Sequence, residues 1–176
     1  MKILIMCEGP NELAIINLLL DNGKLRFSRD ELLDMRPFHA RQLNCSQLKP
    51  ALDAYHGKIK VYRIGDKLSD KLKIPKELQQ TFESQEKFCT KPELEILFII
   101  AENRTADYEK VKSKQSPKDF CKQNIVFNRK KYDNSSNFYT AFFQNRIDLL
   151  TDTITEYRRT HGKHRPDEHY LFDLLK

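Results

Sequence analysis

Lys2 to Cys7 (KILIMC) is a short run of apolar, β-prone residues that stops at once in Glu8-Gly9-Pro10. Unbroken apolarity without alternation is the pattern of a strand covered on both faces, so this run predicts a central strand of a parallel sheet. Asn11 then stands where a helix cap is expected. Leu13, Ile16, Leu19 and Leu20 recur at helical spacing, and Gly23 supplies the stop. Strand, tight turn and helix form the opening half of a βαβ unit. This stretch commits the chain to an α/β fold with a central, largely parallel sheet flanked by helices.

A second cycle follows. Glu31 to Phe38 reads as a possible strand, Ser46 to Tyr55 as a short helix despite Pro50, and Lys58 to Ile64 (KIKVYRI) as a strand ending at Gly65-Asp66. The two clearest strands therefore both end in a glycine beside an acid, Glu8-Gly9 and Gly65-Asp66. In open α/β sheets the ligand crevice lies beyond the carboxyl ends of the strands, so these acids are placed to converge there. Lys67 to Lys91 is polar, with a short helix expected around Pro75 to Phe82. Pro92 to Asn103 (PELEILFIIAEN) has the spacing of a helix that starts at Pro92. A long amphipathic helix is expected from Ser136 to Arg159, with Gly162 as its end, and a docking helix from Pro166 to Leu175. The reading divides the chain into an α/β core over residues 1–105 and, over residues 106–176, a basic segment and a helical C-terminal extension packed on that core.

Glu12 follows Glu8 by four residues and falls in the first helical turn, so both carboxylates can approach one cation. Asp66 and Asp70 after the second strand, and Glu93 and Glu95 at the start of the Pro92 helix, face them across the crevice. Oxygen donors of this kind favour Mg²⁺ or Mn²⁺. Two residues apart on a helix, Glu93 and Glu95 point about 200° from one another, so either one of them ligates or the two precede the helix. Glu93, nearer the start, is the first choice.

The order strand, EGPNE, helix, strand, GDKLSD, then KPELEILFIIAE resembles the TOPRIM domain of topoisomerases, primases and OLD-family nucleases. More narrowly it is similar to small stand-alone TOPRIM-like proteins of bacterial mobile-element and phage-defence settings. The likeness covers residues 1 to 103 and implies a Rossmann-like TOPRIM fold and a metal-dependent nuclease that cleaves phosphodiesters. Glu8 matches the first-strand glutamate, Glu12 the second acid of that motif, and Asp66 the first aspartate after the later strand. On this basis Glu8, Asp66 and Glu93 are the catalytic candidates, and Glu8, Glu12, Asp66, Asp70, Glu93 and Glu95 the metal ligands. The family's D-x-D spacing puts its next acid at position 68, where this chain has Leu68. Either Asp70 substitutes through a different turn, or Glu93 and Glu95 complete the site.

Composition bears on partners. Thirty-one Lys and Arg against 25 Asp and Glu give a net charge of +6 over 176 residues. Eight of the cations (Lys110, Lys112, Lys114, Lys118, Lys122, Arg129, Lys130 and Lys131) fall within 22 residues that hold one acid, Asp119. With Phe120, Phe127 and Tyr132 interleaved, Lys112, Lys114, Lys118, Lys122, Arg129, Lys130 and Lys131 are candidates to neutralise and stack DNA or RNA. The competing reading is a solvated charged face. No Walker-type phosphate loop occurs, so an ATPase would have to be a separate protein partner. A non-cleaving nucleic-acid-binding module, or an accessory subunit of a defence or DNA-processing system, is the alternative function.

No apolar run approaches the roughly 20 residues a membrane span needs, and Lys2 precedes too short an apolar stretch for a signal peptide. A cytoplasmic protein with no membrane partner is expected. Cys7, Cys45, Cys89 and Cys121 lack paired spacing and read as reduced thiols, with Cys7 a small hydrophobe. His161, His164 and His169 suit no single helix face and read as a surface cluster.

Overall fold

The structure, a computed structural model, describes residues 1–66, 72–91, 93–160 and 169–176. Leu68, Asp70, Pro92, His161 and His164 lie outside the described residues. The elements run β1 (Lys2–Cys7), α1 (Pro10–Asp21), β2 (Phe38–His39), α2 (Lys49–Ala54), β3 (Ile59–Gly65), β4 (Phe82–Cys89), α3 (Ile96–Ala101), α4 (Thr105–Val111) and α5 (Pro117–Asn124). They continue with β5 (Val126–Phe127), β6 (Lys130–Lys131), α6 (Ser136–Phe143), α7 (Ile147–Thr160) and β7 (His169–Tyr170).

The chain is an α/β protein with a five-stranded sheet in the order β2-β1-β3-β4-β7, and every neighbouring pair is parallel. Helices flank it in a Rossmann-like arrangement. The apolar run at the start is its second strand, paired on both sides as its composition requires. After β1 the chain moves to one side to form β2, then crosses β1 to form β3. The switch in strand order therefore falls between the carboxyl ends of β1 and β3, the place where open α/β sheets bind ligands.

Register assigns the faces. Leu4, Met6, Val61 and Ile59 lie over a smaller apolar cluster that includes Phe38, Leu48 and Leu52. Ile5, Cys7, Tyr62, Ile64 and Phe88 lie under the larger cluster, which takes in α1, α3, α5, α6 and α7. At its centre Phe98 has the rings of Tyr132, Phe138, Tyr139, Phe142 and Phe143 within 5.5 Å. Aromatic pairs at such spacing add to the stabilisation from buried area.

Several elements differ from the sequence reading. In place of a strand over Glu31 to Phe38 there are two 3-10 turns, Arg29–Glu31 and Leu33–Met35. A Ser28–Glu31 capping box fixes the first, and left-handed backbone at Asp34 and Met35 (φ 53° and 55°) prevents extension. The helix expected over Ser46 to Tyr55 is confined to Lys49–Ala54, with Pro50 in its first turn. The helix around Pro75 to Phe82 is a 3-10 turn, Lys76–Leu78, and the polar stretch after it is β4.

The helix expected from Pro92 begins at Ile96, after a turn that holds Glu93 to Glu95. The long C-terminal helix is two. At the break Arg146 N–H donates to Phe143 O, and the Arg146 Nε–H satisfies the Phe142 carbonyl at 2.8 Å. Within the described part of the expected docking helix, from residue 169 on, the chain forms β7 followed by a 3-10 turn, Leu171–Leu174. The Tyr170 amide donates to Asp173 Oδ2 at 2.7 Å, which starts that turn. Residues 106–176 thus also give the sheet its fifth strand. Among the described residues no helix is long and apolar enough to cross a membrane.

Candidate active site

Gly9 caps α1 in extended backbone and Pro10 opens its first turn, which turns the chain sharply out of β1 and leaves Asn11 and Glu12 at the crevice. A Cβ at Gly9 would collide with the Glu12 carboxylate, and one at Gly65 would overlap that of Glu8. A side chain at Gly65 would therefore displace the buried Glu8 carboxylate, and one at Gly9 would force the Glu12 carboxylate to shift.

Glu12, Asp66, Glu93 and Glu95 all line one cavity of about 160 Å³ beyond β1 and β3. Asn11, Lys118, Asn134 and Tyr139 complete its polar wall. Asp66 is exposed at its mouth, whereas Glu95 is buried. Burial pushes the Glu12 carboxyl above the usual glutamate range. Its own backbone N–H pulls the other way, and the negative charges of Asp66, Glu8 and Glu95 add to the rise. Four carboxylates share the cavity with one ammonium group, that of Lys118, 3.9 Å from Glu95 Oε1.

Glu93 and Glu95 share the cavity because both precede α3, where the 200° opposition of helical neighbours does not apply. Each has its own restraint. The Lys118 amide, in the first turn of α5, donates to Glu93 Oε2 at 2.9 Å. The Tyr132 hydroxyl donates to Glu95 Oε1 at 2.7 Å and lies 3.2 Å from the Tyr139 hydroxyl and 3.0 Å from Asn134 Oδ1. Burial, with the Glu95 charge beside them, raises both phenols well above the usual tyrosine range, so they act as neutral donors. The Asn134 side chain also accepts from Asn11 Nδ2 at 3.1 Å, which ties the far wall to the start of α1. Asn11 Oδ1 is buried with no hydrogen-bond partner among the described residues.

Glu8 does not line this cavity. It is buried below the ends of β1 and β3, where Lys87 Nζ approaches its Oε1 at 2.7 Å and an Arg63 nitrogen at 4.0 Å. Register explains the grouping: Met6, Arg63 and Lys87 are aligned across the sheet, and Glu8 projects on the same face two residues later. Its charge still reaches the cavity, raising the Glu12 carboxyl.

Comparison with protein-family models, curated proteins and solved structures finds no match. The site therefore has to be read from its own chemistry.

All four cysteines are free. Two brace the acid-bearing loops from behind, Cys89 Sγ donating to Asp66 O at 3.7 Å and Cys121 Sγ to Glu95 O at 3.5 Å. The basic candidates separate. Lys118 belongs to the cavity. Lys112 pairs with Glu109, Lys122 with Asp119 and Lys130 with Asp133. Lys114, Arg129 and Lys131 are exposed and form no ion pair among the described residues. His169 is in β7, its ring 5.5 Å from that of Phe88. Tyr132, read from the sequence as a stacking face for nucleic acid, is instead buried, as is Phe120, and turns its hydroxyl to Glu95, and Asn134 and Tyr139 carry no site signal in the sequence. Their only sequence signal was the Asp133-Asn134-Ser135 turn motif, which says nothing about position.

Proposed function

We propose that this chain is a metal-dependent nuclease of TOPRIM type that cleaves phosphodiesters, with Mg²⁺ or Mn²⁺ as its cofactor. The observation that carries the reading is the convergence of Glu12, Asp66, Glu93 and Glu95 on one cavity at the switch in strand order. The donor set suits the cation. It is all oxygen, it has a surplus of negative charge, and the buried Asn11 Oδ1 is an acceptor with no donor among the described residues, which a cation or its hydration water would satisfy. Among the described residues no three His, Cys, Asp or Glu side chains sit close enough to hold a metal as they stand. Mg²⁺ fits that spacing, since it keeps several waters and takes only one or two carboxylates.

Glu12 and Asp66 would hold the ion from the sheet side, with Glu93 and Glu95 opposite. When bound it polarises a phosphate and acidifies water. The chain supplies the rest. Lys118 offers its ammonium group to a phosphate oxygen at the cavity wall. Tyr132 keeps Glu95 in one orientation, and the Lys118 amide does the same for Glu93. Glu12, which holds a proton more readily than a free glutamate, would have to be deprotonated to serve as a ligand. Glu8 acts from beneath the wall through its charge.

The test is incubation with plasmid, single-stranded DNA and RNA in Mg²⁺, Mn²⁺ or EDTA. Cleavage is expected only with metal, and Glu12→Gln or Asp66→Asn should lower it by at least the roughly 10- to 100-fold typical of a lost supporting residue at a metal site. Unchanged cleavage in both variants would remove these acids from the mechanism. A second reading, a non-cleaving nucleic-acid-binding module, is favoured by one observation, the absence of a ready-made three-ligand set among the described residues. It predicts salt-sensitive binding with no metal-dependent turnover.

A further inference from the structure

The basic stretch ends in a two-stranded hairpin that joins no other sheet among the described residues, with β5 and β6 paired Val126 to Lys131 and Phe127 to Lys130. Its two-residue turn, Asn128-Arg129, has positive φ at both positions (48° and 65°). Such turns favour Asn followed by Gly. Arginine in left-handed backbone is an uncommon choice, and it fixes a long cationic side chain at the tip. Arg129 and Lys131 are exposed and form no ion pair among the described residues, whereas the helical lysines Lys112 and Lys122 each face an acid three residues earlier.

The root of the hairpin is anchored. The Phe127 ring packs 5.1 Å from that of Phe142, and the Arg146 guanidinium lies over both. The Tyr132 amide donates to Ile125 O at 3.0 Å, and its hydroxyl reaches Glu95 in the cavity. The same short segment thus runs from the unpaired cationic tip to the cavity wall at Asn134. Five residues of extended chain span at most about 17 Å.

We propose that this hairpin tip is a nucleic-acid docking site, in which Arg129 and Lys131 grip the phosphodiester backbone on one side of the carboxylate cavity. The inference rests on the nucleic-acid substrate proposed above and specifies how that substrate is held. At a rise of about 3.4 Å per base pair, the grip reaches up to roughly five base pairs from the cavity. The paired helical lysines contribute less, because an acid already neutralises each of them.

Binding of a short fluorescent DNA duplex, followed by anisotropy in EDTA at several NaCl concentrations, tests the docking site without cleavage. Each lost phosphate contact lowers the slope of log affinity against log salt by about 0.9, so Arg129→Gln with Lys131→Gln should lower it by about 2. Lys112→Gln with Lys122→Gln should lower it by less than half as much. Arg129→Gly relieves the left-handed backbone, so it should raise the melting temperature while weakening binding, an opposition that a purely structural residue would not produce. A hairpin double variant with the wild-type slope, a helical pair that lowers it equally, or wild-type protein without salt-sensitive binding overturns the proposal. Absent turnover in Mg²⁺ alongside a slope change in the hairpin variant overturns the nuclease reading and supports the docking site.

Discussion

Glu12 shows how a carboxylate lining a cavity can oppose the stability of the fold around it. Burial and neighbouring carboxylates raise its folded value above the unfolded one, so the native state holds the proton more tightly. Its contribution to stability is therefore present in acid and lost as pH rises through the folded value. Glu12→Gln, which cannot ionise, is expected to melt above the wild type at neutral pH. The gap should close as pH falls below the ordinary glutamate range. Thermal melts across that range check this, and a constant gap would contradict the assignment. At this scale the sequence was informative about the acids at strand ends, because a strand followed by Glu-Gly or Gly-Asp puts them there. It is silent about Asn134 and assigns Tyr132 to stacking instead of to Glu95, because both roles arise from packing between distant segments. The choice of Glu93 over Glu95 rests on a helix that starts at Pro92, whereas α3 starts at Ile96 and both acids line the cavity.

At the scale of elements, local signals were read correctly where one element carried its own boundary residues. Lys2 to Cys7 is the expected strand and the first helix stops before Gly23 as expected, but Gly9, not Asn11, caps it and Pro10 opens it. β4 was missed because its exposed edge is polar along most of its length: β7 covers only Phe88 and Cys89. α6 and α7 were merged because their shared apolar stripe carries no glycine or proline, and the break is made by one arginine side chain. The element most tied to the site is α5. Ser116 caps it by accepting from the Asp119 amide at 3.2 Å, and the same first turn holds Glu93 through the Lys118 amide. Ser116→Ala is expected to cost about 1 kcal/mol, typical of a lost cap, read as a lower urea midpoint at unchanged slope. A midpoint equal to the wild type would mean that the cap contributes nothing.

For the molecule as a whole, the sheet's position between two apolar clusters was legible in its first strand, but its closure was not. β7 and the turn after it bring Tyr170, Leu171 and Leu174 into the core, and main-chain bonds join Leu174 to Arg26 and Lys176 to Lys24. Each buried leucine of this kind is worth about 1.5–3 kcal/mol, and whole domains are stable by only about 5–15 kcal/mol. A chain lacking residues 169–176 is expected to lose its cooperative thermal transition, as followed by near-ultraviolet circular dichroism. A sharp transition near the wild-type temperature would show that the last strand is dispensable. The cavity has the same long-range character, since Glu12 and Asp66 face groups from Lys118, Asn134 and Tyr139. During ribosomal synthesis the acids emerge well before the wall that orders them. At about 5–20 residues per second, the 73 residues from Asp66 to Tyr139 take roughly 4–15 s to appear. A nascent chain therefore carries carboxylates without a finished pocket, so whatever chemistry the pocket performs begins only after the second half of the protein has been made.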